Sequence, residues 1–366
     1  MNKSELIKGS SGCVFRPNIP CENSKKKRTK KRVSKLFIKK NKEYEIGLKI
    51  KKIPDYHKWT ILWESICKSP EYSKLIKDTN IKECLLSQNF KPESISPDYK
   101  FTLYQGVYGG ETIDKYSKKV IKNNIFNSEK EFIKAFKKIF KLFDGVFYGL
   151  TQLNNHGICH HDINSRNILV NKNKSYIIDY DISLIIKNLD SNTFLINRMN
   201  EEFHNYRIYE IYPYEYIYYP LKDKEEILKE KENIELYQNR LNYYEIYEPI
   251  HVKLFKNNTD KFRFENLEDK LSNTNKPDLN DLISKLDVYS LGMTILILFI
   301  DICEEYNINI SSLIRLFRLK ELKPHMDLIR DMVKYNYRDR IDIHTSYERY
   351  LNLIRVNKKK KYTKRK

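Results

Sequence analysis

Three polar side chains with the chemistry of proton transfer and cation binding lie close together near the middle of the chain. Asp162 and Asn167 are five positions apart and precede the apolar run 168–170, and Asp179 follows a second apolar run, 176–178. An aspartate in such a loop can accept the proton of a hydroxyl group. Carboxylate and amide oxygens are ligands that Mg²⁺ prefers. The spacing therefore predicts a β-hairpin that carries a general base, Asp162, and two metal ligands, Asn167 and Asp179.

A glycine-containing turn near the N-terminus has the composition of a phosphate-binding loop. Gly9 and Gly12 separate two short apolar runs that predict a strand, a turn and a second strand. Because glycine has no side chain, backbone N–H groups there can approach phosphate oxygens closely. Two glycines at this spacing are also typical of a plain turn, so these residues alone leave both interpretations open.

Apolar patterns before the polar cluster predict the element that positions it. Apolar residues recur every three or four positions between Phe132 and Leu153, which predicts one amphipathic helix with a buried face. We expect Gly157 to cap the C-terminus of this helix. The short turn that follows would then deliver Asp162.

The charge distribution indicates which partners the surface could bind. The 366 residues have a formal net charge of +20, and much of the excess lies in the loop 22–32 and in the tail 358–366. Such basic runs can bind nucleic acid, an acidic partner or a nuclear import receptor. Solvated surface segments without a partner are the alternative.

The cysteines, histidines and apolar runs bear on the compartment. The 6 cysteines are scattered without a C-x-x-C pair, which argues against a zinc ribbon or a disulfide framework and favours a reducing compartment. The histidines at 156, 160 and 161 have no partnering set that would predict a metal site. We expect no signal peptide, and the longest apolar run, 291–300, is too short to span a bilayer. These features predict an intracellular protein.

Six landmarks spread over residues 7–340 occur in a specific order. They are Gly9-x-x-Gly12-x-Val14, Lys35 within a strand, His160-x-Asp162-x-x-x-x-Asn167, Asp179-Tyr180-Asp181, Tyr212-Pro213-x-Glu215, and Asp287-Val288-Tyr289-Ser290-Leu291-Gly292. Their residue types and spacing resemble the protein kinase superfamily. Their details, and a composition rich in Lys, Asn, Ile and Tyr, look most like the divergent serine/threonine kinases of large cytoplasmic DNA viruses.

The resemblance implies an α+β, bilobal fold. A small, β-rich N-lobe would comprise residues 1–105, with the basic loop 22–32, and a larger, mainly helical C-lobe would comprise residues 106–357. An insertion at about 216–280 would lengthen the C-lobe, and a basic tail would follow at 358–366. The resemblance further implies that Arg340 pairs with Glu215. It also implies that Asp287 caps a helix and anchors the backbone of the catalytic loop.

The resemblance implies how ATP would be bound. Lys35 would hold the α- and β-phosphates. A predicted helix at 42–53 would supply the acid that holds this lysine, Glu45, with Glu43 as the alternative. The competing interpretation is that Lys35 faces solvent from an edge strand and that the glutamates of the helix are solvated. The segment covering the phosphates would comprise Gly9, Ser10, Ser11, Gly12 and Val14.

The resemblance also implies the roles of the groups that carry the reaction. Asn167 and Asp179 would bind Mg²⁺, with Mn²⁺ as an alternative metal. Asp162 would position the substrate hydroxyl and accept its proton. Asn164 stands where serine/threonine kinases have a lysine that steadies the γ-phosphate. Arg166 would supply that charge instead, and a salt bridge with the activation segment is the alternative role for it.

Two further departures from the family pattern predict how activity is regulated. His161 replaces the arginine that usually clamps a phosphorylated activation loop, so we expect activity that does not depend strictly on loop phosphorylation. Asp181 replaces the glycine of D-F-G. Aspartate tolerates a left-handed backbone better than most residues, and we expect the replacement to restrict switching to an inactive state.

The resulting prediction is an ATP-dependent protein kinase acting on serine and threonine hydroxyls in the host cytoplasm or virion, with the nucleus as an alternative location. A scaffold that keeps the fold without catalysis is the first alternative, and the presence of every expected polar group argues against it. An ATP-dependent phosphotransferase for small molecules or lipids is the second. The motifs at 212–215 and 287–292 resemble elements that bind peptides and favour a protein substrate.

Overall fold

The computed structural model of the protein describes residues 5–8, 12–24, 28–37, 42–204, 211–213, 253–255, 278–334 and 336–362. The chain divides into two compact units, one of Met1–Gly110 with Ile178–Ile182 and one of Glu111–Ile177 with Ser183–Lys366. The first contains a small antiparallel sheet and the second is mostly helical, which confirms the predicted α+β class.

Several predicted features lie outside the described residues. These are the phosphate-binding positions Gly9, Ser10 and Ser11, nearly all of the insertion at 216–280, and Glu215, so the predicted pair of Glu215 with Arg340 also falls outside them. Of the basic tail, residues up to Tyr362 belong to a described helix.

The sheet of the first unit positions Lys35. Its strands are β1 (Glu5–Lys8), β2 (Gly12–Arg16), β3 (Arg32–Phe37), β4 (Ser65–Lys68) and β5 (Thr102–Val107), in the antiparallel order β1-β2-β3-β5-β4. Lys35 lies on the central strand β3, opposite Val14 on β2 and Tyr104 on β5. Its side chain is buried. The interpretation of Lys35 as a solvent-facing lysine on an edge strand is therefore wrong.

Three described α-helices belong to the first unit, namely α1 (Glu43–Ile50), α2 (Tyr72–Leu75) and α3 (Thr79–Ser87), together with short 3₁₀ helices at Tyr56–Lys58 and Pro92–Ser94. The predicted buried face of α1 is confirmed because Ile46, Ile50 and Ile53 are all buried. The helix ends at Ile50, earlier than predicted. Helices α2 and α3 share one apolar core with β2, β3 and β5.

Four of the cysteines are paired, which contradicts the expectation of no disulfide framework. Disulfides join Cys13 to Cys84 and Cys21 to Cys67. The partners are 71 and 46 positions apart in sequence, and the fold of the first unit brings them together. Local cysteine spacing cannot detect such pairs. The compartment therefore stays a prediction.

The second unit begins with short strands and helices that lead to the polar hairpin. They are β6 (Glu111–Thr112), α4 (Ile113–Val120), α5 (Glu129–Phe140), α6 (Asp144–Asn155), β7 (Ile158–Cys159), β8 (Ile168–Asn171), β9 (Lys174–Ile177) and β10 (Leu184–Ile185). The single helix predicted from Phe132 to Leu153 is wrong, because a turn of 3₁₀ helix at Lys141–Phe143 divides it. Its apolar stripe is buried throughout. Gly157 has a positive φ of 68° after the helix end, as expected of a C-cap glycine.

The remaining described helices of the second unit are α7 (Leu189–His204), α8 (Leu279–Glu305), α9 (Ile310–Phe317), α10 (Lys323–Met332) and α11 (Ile343–Tyr362). Helix α8, with 27 residues, is long and apolar enough to cross a membrane by length and composition alone. However, 89% of its most apolar window is buried within the protein. A core helix passes the same test, and Asp287 of α8 accepts hydrogen bonds from the backbone of the loop that precedes the hairpin described below.

Candidate active site

The predicted hairpin is confirmed in the second unit. Strands β8 and β9 pair antiparallel, with Asn171 opposite Lys174. The two residues between them, Lys172 and Asn173, have positive φ values of 49° and 63°, the backbone of a tight hairpin turn whose twist matches that of the flanking strands. Asn171 is therefore the last residue of β8. The loop 160–167 comes directly before this strand in the sequence.

Asp162 and Asn167 are joined directly in this loop. The Asn167 Nδ2 donates hydrogen bonds to the Asp162 carboxylate Oδ2 at 2.7 Å and to its backbone carbonyl at 2.9 Å. Since the Asn167 Nδ2 donates both of these bonds, the Oδ1 of the same side chain is the atom that could bind a cation. The hairpin thus brings together two of the three polar groups singled out in the sequence.

Asn164 has a role that the sequence did not reveal. Its Nδ2 donates to the Asp162 Oδ1 at 2.9 Å, while its Oδ1 accepts the backbone N–H groups of Arg166 at 2.9 Å and Asn167 at 3.2 Å. Asparagine commonly organises turns through such bonds to the backbone. This tendency of asparagine is the signal in the sequence that points to the role of Asn164, which the comparison with the lysine of serine/threonine kinases does not predict. The side chain of Arg166 is exposed.

The loop backbone is anchored to helix α8 by Asp287. The Asp287 Oδ2 accepts the backbone N–H of His160 at 2.7 Å, and its Oδ1 accepts that of His161 at 2.8 Å. The predicted anchor is confirmed. The predicted cap is wrong, because Asp278 caps the N-terminus of α8 and Asp287 lies inside the helix. Burial raises the pKa of Asp287, while the charge of His160 and the two backbone N–H bonds oppose that rise.

His161 contacts aromatic side chains. Its ring is stacked on that of Tyr212, with centroids 5.3 Å apart and planes at 8°, and it meets the edge of Phe194 at 6.4 Å. His161 is buried and has a positive φ of 70°. The side chain of His161 is thus a ring packed against rings.

Lys35 forms two ion pairs in the first unit. Its Nζ lies 2.9 Å from the Glu43 Oε2 and 2.8 Å from the Asp179 Oδ1. Burial alone would lower the pKa of Lys35, but the charges of Glu43 and Asp179 outweigh it and raise that pKa. Burial raises the pKa of Glu43, and the charge of Lys35 opposes this rise.

The predicted pairing of Lys35 with Glu45 is wrong. The lysine pairs with Glu43, the alternative, and Glu45 is exposed. Residues two apart on a helix point about 200° apart around its axis. Only Glu43 therefore shares the face of α1 that is turned toward β3.

The segment Asp179-Tyr180-Asp181 has its strained residue at an unexpected position. The positive φ, 68°, is at Asp179 and not at Asp181, so the argument that Asp181 stands in a left-handed backbone is wrong. The Tyr180 hydroxyl donates to the Thr60 Oγ1 at 2.8 Å, and both side chains are buried. This bond holds the segment within the first unit.

Gly12 is required by packing. A Cβ atom at Gly12 would lie 2.4 Å from the backbone oxygen of Leu36 on the neighbouring strand. This close approach of the backbone is enough to explain why residue 12 is a glycine, whether or not a phosphate binds there. Val14, on the same strand, pairs with Lys35.

The described side chains include few groups that could bind a metal ion together. Among the described residues, no group of three or more His, Cys, Asp or Glu side chains lies together as a metal site. Asn167 of the second unit has an amide oxygen and Asp179 of the first unit has carboxylate oxygens, and each suits Mg²⁺ in kind. A bound nucleotide commonly supplies further oxygen ligands of Mg²⁺. Each of the two groups, taken by itself, fits the role of a Mg²⁺ ligand.

Comparisons with known proteins do not assign the chain to a family. No family model matches the sequence, and no curated protein matches it.

Proposed function

We propose that the protein is an ATP-dependent protein kinase with a bilobal kinase fold, which transfers the γ-phosphoryl group to serine or threonine hydroxyls of protein substrates. The proposal rests above all on Lys35, a buried cation that pairs with both Glu43 and Asp179. Burying a charge is costly unless it is paired. A lysine held by a helix glutamate beside a metal-binding aspartate is the arrangement that kinases use to orient ATP.

In the proposed mechanism the first unit binds the nucleotide. Lys35 would hold the α- and β-phosphates, and the turn at 9–14, of which residues 9–11 lie outside the described part of the chain, would cover them. The Asp179 carboxylate of the first unit and the Asn167 Oδ1 of the second unit are the groups that would hold Mg²⁺, with Mn²⁺ as an alternative. ATP with its metal, when bound, supplies the electrophilic γ-phosphorus and the ADP leaving group.

Asp162 handles the proton of the substrate. The substrate hydroxyl oxygen forms a bond to the γ-phosphorus while the bond from that phosphorus to the bridging oxygen breaks, and the hydroxyl proton passes to Asp162. Hydrogen bonds from Asn164 and Asn167 fix the carboxylate during this step. The exposed Arg166 offsets negative charge on the transferred group. The basic runs at 22–32 and 358–366 are proposed to attract acidic partners or nucleic acid within the host cell.

The proposal is tested by incubating the purified chain with radiolabelled ATP and Mg²⁺, with casein or myelin basic protein as substrate. We expect labelling by the wild type and its loss in Asp162→Asn. The matched control, Asp190→Asn, changes an exposed aspartate on α7 and should keep wild-type activity. Equal labelling by wild type and Asp162→Asn would overturn the catalytic role. Phosphoamino-acid analysis of the product distinguishes serine and threonine from tyrosine.

A further inference from the structure

Both oxygens of the Glu43 carboxylate are bound, and only one of them by Lys35. The indole Nε1 of Trp63 donates a hydrogen bond to the Glu43 Oε1 at 2.7 Å, while the Lys35 Nζ donates to Oε2 at 2.9 Å. Hydrogen bonds to a charged acceptor are shorter and stronger than neutral ones. A carboxylate bound at both oxygens cannot rotate about its last bond without losing a contact. The indole thereby fixes the acid that holds Lys35.

Trp63 also contacts the other end of helix α1. The Nζ of Lys51, which caps the C-terminus of α1, donates to the backbone oxygen of Trp63 at 2.9 Å. Glu43 lies in the first turn of the same helix. One residue therefore bonds to both ends of α1, and a rotation of this helix about its axis would break the bond at Glu43.

The sheet is shaped to receive the indole ring. A Cβ atom at Gly106 on β5 would lie 3.0 Å from the Trp63 Cε3, closer than side-chain carbons normally approach. The ring of Tyr104, two residues earlier on β5, meets that of Trp63 edge-on at 6.1 Å. Gly106 thus leaves the space that the indole occupies between β5 and α1.

We propose that Trp63 is a positioning residue for phosphoryl transfer, which holds Glu43, and through it Lys35, in the geometry that binds ATP. This inference rests on the proposed function. It extends that function because the residue that fixes helix α1 belongs to the same unit as Lys35 and Glu43.

The chain contains a matched control for this proposal. Of its 2 tryptophans, the other, Trp59, is fully buried in the same unit. Among the described residues its indole Nε1 has no hydrogen-bond partner. Trp63→Phe and Trp59→Phe therefore remove the same atoms, but only the first removes a bond to Glu43.

The kinetic test compares both variants with the wild type at varied ATP and varied protein substrate. We expect Trp63→Phe to lower kcat/KM for ATP about tenfold, the effect of losing one hydrogen bond to a charged group, with KM for the protein substrate unchanged. Trp59→Phe should stay within about twofold of wild type, since it loses only packing. Equal effects of the two variants would overturn the role of Trp63. A wild-type protein that transfers no phosphate to any substrate would instead overturn the proposed function, and the role of Trp63 with it.

A spectroscopic measurement tests the contact without activity. Protein labelled with ¹⁵N in its tryptophans gives two indole N–H signals, which Trp63→Phe and Trp59→Phe assign. We expect Glu43→Gln to shift the Trp63 signal and to leave the Trp59 signal in place, because the charged acceptor is removed only from Trp63. A Trp63 signal that does not respond to Glu43→Gln would contradict the proposal even in an active enzyme.

Discussion

Asp287 and His161 are joined by a hydrogen bond of 2.8 Å from the backbone N–H of His161 to the Asp287 Oδ1, across 126 positions of sequence. The other carboxylate oxygen accepts the N–H of His160 at 2.7 Å. The backbone of His161 has a positive φ of 70°, which costs energy in a residue with a side chain. The buried carboxylate therefore stabilises a strained loop just before the proposed base.

Replacing Asp287 should uncouple this loop from helix α8. In Asp287→Asn, one of the two backbone N–H groups would face an amide nitrogen and lose its charged acceptor. We expect a loss of about 2–4 kcal/mol in the free energy of unfolding, measured with urea and far-UV circular dichroism, together with a large loss of kinase activity. Asp281→Asn, on the same helix with a side chain that is 43% exposed, is the control and should change stability by less than about 1 kcal/mol. Similar stabilities of the two variants would contradict the anchoring role.

The choice between Glu43 and Glu45 could have been predicted from the helix period. Glu43, Ile46 and Ile50 are spaced by three and four residues, so they share one face of α1. Both isoleucines are buried, as is Glu43. Glu45 does not share this face and is exposed. The hairpin and the apolar stripe of α5 and α6 could be predicted because each depends on a pattern of residues within one short segment of the sequence.

Contacts between distant segments could not be predicted. Cys13 and Cys84 are 71 positions apart, and Trp63 reaches Glu43 from 20 positions away in sequence. Their meeting depends on how β2, α3 and α1 pack in the first unit, which a pattern within one segment does not encode. The division between α5 and α6 was missed for a related reason. A turn of 3₁₀ helix keeps apolar residues on nearly the same face, so the stripe continues across it.

Replacing each of the two glutamates of α1 separately by glutamine tests whether Lys35 pairs with Glu43. Glu43→Gln removes the charge that faces Lys35, whereas Glu45→Gln makes the same change at an exposed position of the same helix. We expect the first to lower kcat/KM for ATP by about tenfold or more and the second to leave it within about twofold. A greater loss in Glu45→Gln than in Glu43→Gln would restore the original assignment.

The stack of His161 on Tyr212 predicts activity without phosphorylation of the activation segment, the stretch between Asp181 and Glu215. The ring contact joins Tyr212 to the loop 160–167 without a phosphate, so protein treated with a phosphatase should keep most of its activity. Tyr212→Phe retains the ring and should stay within about twofold of wild type. Tyr212→Ala removes it and should lose about fivefold or more, from a stacking contribution of about 1 kcal/mol. Loss of activity after phosphatase treatment, with the stack intact, would show that a phosphate is needed.

His325 on α10 predicts how the stability of the second unit depends on pH. The imidazole is buried, with its ring edge-on to those of Phe136 at 5.7 Å and Phe140 at 4.9 Å. Burial, and to a smaller extent the charge of Lys137, lowers the pKa of His325 from 6.5 to about 4. Between these values the unfolded chain binds a proton at this side chain and the folded chain does not. Acid therefore favours unfolding in this range.

The contribution of His325 to stability should be complete above about pH 6.5, fall as the pH is lowered toward 4, and change no further below that. Its full size is on the order of 3 kcal/mol. The measurement compares wild type with His325→Phe by urea unfolding at several pH values between 4 and 7. It should use far-UV circular dichroism, because both tryptophans lie in the first unit. We expect the variant to lose stability less steeply with acid, while His344→Gln, an exposed histidine on α11, keeps the wild-type slope. Parallel curves for wild type and His325→Phe would show that the buried ring is not what makes the second unit sensitive to acid.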